Sequence, residues 1–191
     1  MASKVFGIGL NKTGTTRLGV CLRTLGFRHS PFAGHFIEDA EAGRLKEIIR
    51  FAEGWDSFED WPWPLIYRNL EQAFPNSRFI LTTRRDADTW FDSLQSHAER
   101  TGPTEERRRV YGHAMPHGHR IEHCQIYNEH NHDVLSHFEG RPESFLHLCW
   151  DDGAGWPQLS AFLNVDIPRE PFPHATGVSA AGNKNWQSGS A

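Results

Sequence analysis

The stretch KVFGIGLNKTGTTRLGVCLRTLGF, residues 4–27, decides the fold of this chain. The short apolar run over 4–10 predicts a buried strand. Apolar residues at helical spacing predict a helix over 15–25, and Gly26 follows as a helix-ending residue. Between the two lies a turn of glycine, threonine and one lysine. This order of strand, turn and helix is typical of a loop that binds phosphate through backbone N–H groups and the helix dipole.

The position of Lys12 sets this turn apart from two common nucleotide-binding motifs. The Walker A motif GxxxxGK[ST] has its lysine after the second glycine, whereas Lys12 lies before Gly14. The dinucleotide motif GxGxxG would need glycine at position 12. The alternative is an ordinary Gly/Thr turn with a solvated lysine, but strand, turn, helix and local positive charge together favour an anion site.

The rest of the chain continues to alternate between strands and helices. We predict strands at 55–59, 78–83 and 144–148, and helices at 41–53, 64–74, 87–100, 121–138 and 156–163. This alternation predicts an α/β protein with a parallel sheet, whose ligands bind at the carboxyl ends of the strands. We place one domain at residues 1–174 and a flexible Gly/Ser/Ala-rich tail at 175–191.

Charge and composition narrow the class of ligand. The net charge is -4, yet residues 1–30 hold five basic residues and no acidic one. This distribution argues against nucleic acid as a partner and favours a small anion.

No apolar run approaches the ~18 residues of a membrane span, so no membrane partner is expected. Three cysteines without CxxC spacing, and no export signal, predict a cytoplasmic protein. The basic run 107–109 follows two glutamates and is interpreted as a solvated face.

The segment Lys-Thr-Gly-Thr-Thr, residues 12–16, resembles the 5′-phosphosulfate loop of sulfotransferases that use PAPS (3′-phosphoadenosine-5′-phosphosulfate). Residues 4–27 resemble the start of the bacterial branch of the P-loop sulfotransferase superfamily. The resemblance continues through YNEHNHDV at 127–134 to PFPH at 171–174. It implies a three-layer P-loop-type fold with a central parallel sheet flanked by helices. It also implies transfer from PAPS, with 3′,5′-ADP (PAP) as product. The strand RFILTT ends in threonines and arginines without the carboxylate of a Mg-dependent kinase, so the site is expected to be metal-independent. The donor-binding residues that the resemblance implies in the loop are Asn11, Lys12, Thr13, Gly14, Thr15 and Thr16, and Lys12 is also implied to be catalytic.

A second anion site is predicted after the strand RFILTT, residues 78–83. An arginine at a strand end and a serine two turns into the next helix can converge on one oxyanion. The segment Arg85-Asp86 to Trp90 and Ser93 resembles the family pattern R-D-x-x-x-W-x-x-S. The resemblance therefore assigns Arg85 and Ser93 to the 3′-phosphate of PAPS. Because the arginine is doubled here, Arg84 is the alternative.

A candidate base follows the predicted strand at 55–59. Sulfuryl transfer to a hydroxyl needs a general base near the acceptor oxygen. Asp60-Trp61-Pro62 resembles a D-x-P segment of the bacterial family, which points to Asp60 as base or acceptor-binding residue, with Glu59 as the weaker candidate. The alternative is that Asp60 caps the helix predicted from residue 64.

Histidines are dense in the second half of the chain, with seven between His113 and His137. The pairs His113/His117 and His119/His123 have a spacing that suits zinc on a helix, but HExxH and a cysteine pair are missing. We predict no metal site. The resemblance implies that these histidines serve in packing or support the site.

Taken together, these patterns predict an enzyme that transfers a sulfuryl group from PAPS to a hydroxyl or amine of a small-molecule acceptor by in-line displacement. Two other hypotheses stay open. One is a Mg-dependent nucleotide phosphotransferase that uses the same loop, and the other is a non-catalytic nucleotide-binding module. The sequence identifies neither the acceptor nor the oligomeric state.

Overall fold

A computed structural model describes residues 3–173 of the chain. The centre is a parallel sheet whose strands lie in the order β2-β1-β3-β4. The strands are β1 (Val5–Gly7), β2 (Ser57–Phe58), β3 (Arg78–Thr83) and β4 (Phe145–Cys149). The tail predicted at 175–191 and the last residue of the PFPH segment lie outside the described residues.

Helices connect the strands. They are α1 (Thr15–Thr24), α2 (Ile37–Glu41), α3 (Lys46–Glu53), α4 (Tyr67–Ala73), α5 (Ala87–Thr101), α6 (Glu105–Tyr111), α7 (Arg120–His137) and α8 (Trp156–Leu163). Single 3-10 turns lie at 34–36, 63–65 and 150–152. No helix between residues 3 and 173 has both the length and the apolar character needed to cross a membrane.

Alternating side chains of β3 reach into two separate hydrophobic cores. Phe79 and Leu81 pack on one face of the sheet with residues of α3, α4 and α7. Ile80 packs on the other face with residues of α1 and α8. Successive strand residues point to opposite faces, so a continuous apolar strand needs helices on both sides. The layers confirm the predicted three-layer α/β fold with a central parallel sheet.

Lys4, the first basic residue of the chain, has a structural role. Lys4 is buried, and its Nζ donates to the carbonyl oxygens of Ala52 at 2.9 Å and Trp55 at 2.6 Å. These carbonyls lie at the end of α3, where a cation offsets the negative end of the helix dipole. Burial lowers the pKa of Lys4. The positive charge of Lys4 is therefore engaged by backbone carbonyls at the end of α3.

One helix prediction was wrong, and one helix was missed. The helix predicted at 41–53 begins only at Lys46, because Gly43 takes a left-handed φ of 68° and separates α2 from α3. Helix α6 was not predicted; Thr104 caps it by accepting from the N–H of Arg107 at 3.3 Å. Arg107 is also buried rather than solvated, and its guanidinium donates to the carbonyl oxygen of Ala114 at 3.0 Å.

We predict that Phe6→Ala destabilises the protein strongly. The Phe6 side chain is 0% exposed, and its ring lies 4.5 Å from that of Phe58 and 5.6 Å from that of Phe79. Removing a buried phenylalanine ring costs about 3–5 kcal/mol of unfolding free energy. Urea unfolding measures this loss. The matched control is Phe32→Ala, since Phe32 is 50% exposed and should lose far less. Equal losses in the two variants would contradict the central position of Phe6.

Candidate active site

A cavity of about 440 Å³ opens at the carboxyl end of the sheet. Loops that follow all four strands contribute to its wall, together with the first turn of α1 and one face of α5. Its lining residues are Asn11, Lys12, Thr13, Gly14, Thr15, Thr16, Arg17, Asp60, Arg84, Ser93, His97, Arg100, Trp150 and Asp151. In the order β2-β1-β3-β4 the chain leads from β1 to β2 on one side and from β3 to β4 on the other. The strand order therefore reverses between β1 and β3, which is where open parallel sheets bind ligands.

The turn after β1 has a conformation that its glycines make possible. Gly14 has a φ of 91°, and a Cβ there would lie 2.4 Å from Cδ1 of Trp150. A Cβ on Gly9 would lie 2.3 Å from the carbonyl oxygen of Thr82. Lys12 is also left-handed, with a φ of 67°. Non-glycine residues in this conformation are sparse and cluster at functional sites, because the surrounding structure must hold them there.

Two side chains of the turn are occupied by bonds to the protein. The Thr13 hydroxyl is buried, donates to the carbonyl oxygen of Leu10 at 2.6 Å and shares a 2.7 Å hydrogen bond with the hydroxyl of Thr82. Oδ1 of Asn11 accepts from the hydroxyl of Tyr111 at 2.6 Å. These bonds hold the loop in place. Lys12, Thr15 and Thr16, with the first N–H groups of α1, are what the loop offers to a ligand.

Positive charge exceeds negative charge around the cavity. Its ionisable wall residues, apart from one histidine, are Lys12, Arg17, Asp60, Arg84, Arg100 and Asp151. Arg84 is paired with Asp151 at 2.8 Å. Within the described part of the chain, no carboxylate lies within ion-pairing distance of the other three cations. Burial and, next, the charge of Arg100 lower the pKa of Lys12. An anionic ligand would relieve this repulsion.

Asp60 lies beside this cationic loop, and both its backbone conformation and its pKa are unusual for an aspartate. Its φ is 64°, and its Oδ1 accepts from the N–H of Trp61 at 2.9 Å. Burial, and then the neighbouring carboxylate of Glu59, raise the pKa of Asp60 to about 7, although Lys12 acts in the opposite direction. The side chain caps neither the 3-10 turn at 63–65 nor α4. The alternative of a helix-capping Asp60 is therefore not what the structure contains.

Of the two arginines after β3, it is Arg84 whose side chain lines the cavity, together with Ser93. Arg85, which the sequence pattern favours, is exposed and is not part of the wall. The physical reason is the turn at the end of β3. There, the N–H of Arg84 donates to the hydroxyl of Tyr127 at 2.9 Å, and the N–H of Arg85 donates to Asp151 at 3.1 Å.

The sequence analysis missed several wall residues. His97 and Arg100 follow Ser93 at spacings of four and seven, so helical periodicity alone could have found them. Trp150 and Arg17 had no such signal, because they meet only in the folded chain. The Arg17 guanidinium lies 5.6 Å from the centre of the Trp150 ring. The indole N–H of Trp150 and Nε of Arg17 are buried without a hydrogen-bond partner within residues 3–173. Buried donors of this kind suit a polar ligand.

The histidines support the structure around the site. Nε2 of His130 donates to the carbonyl oxygen of Ile8 at 2.8 Å, just before the loop. Burial lowers the pKa of His130 and so disfavours the charged form of the ring. The rings of His113 and His119 stack 3.4 Å apart. In the part of the chain that the structure describes, no three His, Cys, Asp or Glu side chains are arranged to hold a metal ion.

Comparison with known families identifies the family to which the sequence is similar. The family model described as "Sulfotransferase domain" matches residues 4–110 and 104–180, which covers most of the chain. The match includes the loop after β1, Asp60, the end of β3 and α5. No curated protein matches the chain. The family match confirms the resemblance to sulfotransferases.

We predict that Asp60→Asn stabilises the protein more at pH 8 than at pH 4. The folded state holds the Asp60 proton up to a pKa of about 7, whereas an unfolded aspartate releases it near its ordinary value. The folded state therefore binds more protons between these values, and wild-type stability falls as pH rises through that window. Asparagine has no charge to bury and tolerates the left-handed φ.

Urea unfolding at pH 4, 6 and 8 measures the difference. We expect the variant to gain about 1 kcal/mol or more at pH 8, since each pKa unit is worth about 1.4 kcal/mol. Asp166→Asn, at an exposed position, is the matched control and should show no such trend. A gain of equal size at every pH would contradict the elevated pKa of Asp60.

Proposed function

The chain belongs to the sulfotransferase family, and from that premise we propose that it transfers a sulfuryl group from PAPS to a hydroxyl or amine of a small-molecule acceptor. One observation carries the proposal: the strained, unpaired Lys12 and the candidate base Asp60 line the same cavity as Arg84 and Ser93. Two proposed anion sites then share one cavity with a carboxyl group whose pKa is raised to about 7. This suits a nucleotide with anionic groups at both ends of its ribose.

In this proposal the loop binds the 5′-phosphosulfate of PAPS. Lys12, the hydroxyls of Thr15 and Thr16 and the N–H groups at the start of α1 supply the donors. Gly14 lets the backbone approach the anion. Asn11 and Thr13 act differently, since their side chains are already bonded to the protein and serve to fix the loop.

The 3′-phosphate would be held at the end of β3 and on α5. Ser93 offers a hydroxyl and Arg84 a planar guanidinium on the cavity wall. Arg84 is the stronger candidate, because Arg85 lies outside that wall. The buried donors of Trp150 and Arg17 would pair with polar atoms of the same nucleotide.

When bound, PAPS supplies a sulfuryl group that forms a bond to the acceptor oxygen or nitrogen as the bond from sulfur to the 5′-phosphate oxygen breaks, with 3′,5′-ADP leaving. Asp60 takes the proton of the acceptor, and a pKa of about 7 suits a base near neutral pH. Lys12 stabilises negative charge that develops on the leaving phosphate.

We predict that the protein binds 3′,5′-ADP in the presence of EDTA, and at least tenfold more tightly than 5′-AMP, because only 3′,5′-ADP has a 3′-phosphate. Isothermal calorimetry measures both affinities. Arg84→Gln should abolish this difference, and the matched variant Arg85→Gln should retain it. The reverse result would assign the 3′-phosphate to Arg85. Binding of ATP with Mg²⁺ but not of 3′,5′-ADP would support a phosphotransferase and contradict the proposal.

We also predict large losses of transfer rate from two substitutions. Lys12→Ala removes a charge that acts in the transition state, and it should lower kcat/KM about 10²–10³-fold. Asp60→Asn removes the base and should lower kcat about 10²–10⁴-fold. The assay follows labelled PAPS with a mixed panel of hydroxyl and amine acceptors. Lys46→Ala and Asp166→Asn, both at exposed positions outside the cavity, are the matched controls. Unchanged rates in the two site variants would remove both residues from the mechanism. A wild type that binds 3′,5′-ADP but transfers nothing would indicate a binding module.

A further inference from the structure

One face of α5 extends the cavity beyond the proposed donor site. Ser93, His97 and Arg100 lie on the same side of this helix and all line the cavity. At a rise of about 1.5 Å per residue, Arg100 lies roughly 10 Å along the helix axis from Ser93. The wall thus continues well past the residue proposed to hold the 3′-phosphate.

Arg100 is a cation without an anionic partner. Its Nη1 donates to the carbonyl oxygen and the hydroxyl of Ser96, both at 3.0 Å. Between residues 3 and 173 no carboxylate lies within ion-pairing distance of its guanidinium. Arg84, the cavity arginine after β3, differs in this respect, since it is paired with Asp151 at 2.8 Å. Arg100 therefore adds charge to the cavity that the protein itself does not balance.

His97 lies one turn before Arg100, and its ring nitrogens have no hydrogen-bond partner within the described residues. Burial, then the charges of Lys12, Arg107 and Arg100, lower the pKa of His97 to about 4. The ring is therefore neutral near pH 7 and offers one N–H donor to the cavity. Arg107 behind it is bonded to carbonyl and hydroxyl oxygens alone, so its charge also reaches this end of the cavity.

We propose that Arg100 and His97 form a subsite for an anionic group of the acceptor. The natural acceptor is then a small hydroxyl or amine compound that also carries a carboxylate or a similar anion. This inference rests on the proposed function, which assigns the two ends of the donor nucleotide to the loop and to Ser93 with Arg84. The acceptor's reactive group would lie near Asp60 and Lys12, and its anion would extend along α5.

The experiment compares hydroxy acids with their own methyl esters, which differ in charge but keep the reactive hydroxyl. Pairs such as 4-hydroxyphenylacetate and 6-hydroxyhexanoate with their esters cover aromatic and aliphatic acceptors. We expect the wild type to show at least a tenfold higher kcat/KM for the acid of each pair. Arg100→Gln should reduce this ratio to about one and Arg100→Glu should invert it, because an ion pair to the acid is lost or replaced by repulsion.

Arg100→Lys keeps the charge and should retain a preference for the acid. The matched control is Arg23→Gln, since Arg23 is exposed and lies outside the cavity wall. Calorimetry with 3′,5′-ADP separates the subsite from the donor site: Arg100→Gln should change its affinity less than twofold.

Three results would overturn the subsite while leaving sulfuryl transfer intact. They are equal or better turnover of the esters by the wild type, an unchanged ratio in Arg100→Gln, and a tenfold loss of 3′,5′-ADP affinity in that variant. The last result would make Arg100 part of the donor site. Absence of 3′,5′-ADP binding in the wild type would instead refute the proposed function itself.

Discussion

A buried hydrogen bond between two threonine hydroxyls ties the loop after β1 to the strand that leads to Arg84. The hydroxyls of Thr13 and Thr82 lie 2.7 Å apart, and they link the loop after β1 to the end of β3. Gly9 makes this contact possible, because any side chain there would overlap Thr82. Leaving one of these hydroxyls unpaired would cost about 1–3 kcal/mol, so the loop and the strand hold each other in place. The residue two positions after Thr82 is Arg84, and the residue before Thr13 is Lys12. The spacing between the two anion sites therefore depends on this bond.

Some cations of the protein are bound by backbone carbonyl oxygens, whereas others line the cavity. Lys4 and Arg107 are buried and donate to carbonyl oxygens, so their charges are engaged by the fold. Lys12, Arg17 and Arg100 reach one cavity, and within residues 3–173 none has a carboxylate partner. The carboxyl group that the loop encloses, Asp60, has its pKa raised toward neutrality by burial and by Glu59. Such a cavity favours an anionic ligand and holds a group able to accept a proton near pH 7.

The sequence predicted the fold well where local signals were strong. The strand at Arg78–Thr83 and the helix at Trp156–Leu163 have the predicted bounds, since each is a clear apolar pattern between helix or turn breakers. The prediction failed at the charged segment 105–109, which was interpreted as a solvated face although it forms most of a helix. Helix α6 begins with two glutamates and three arginines, and its buried Arg107 has no sequence signal to separate it from its exposed neighbours.

The candidate site also contains residues that local sequence predicts and residues that it does not. Two positions on the cavity wall could be predicted from sequence: that of the loop at 11–16 from the order of strand, turn and helix, and that of Asp60 from its resemblance to the family's D-x-P segment. The choice between Arg84 and Arg85 could not, since it depends on bonds to Tyr127 and Asp151 from distant elements. Trp150 was missed for the same reason: its ring packs against Gly14 across the cavity.

The most direct test of this account is a crystal structure of the full chain with 3′,5′-ADP. The account predicts the 5′-phosphate against Lys12 and the first N–H groups of α1, and the 3′-phosphate against Ser93 and Arg84. It also predicts that Arg100 makes no contact with the nucleotide. A nucleotide bound away from the loop, or a 5′-phosphate held elsewhere in the cavity, would contradict the central claim that the turn after β1 is an anion-binding loop for the donor.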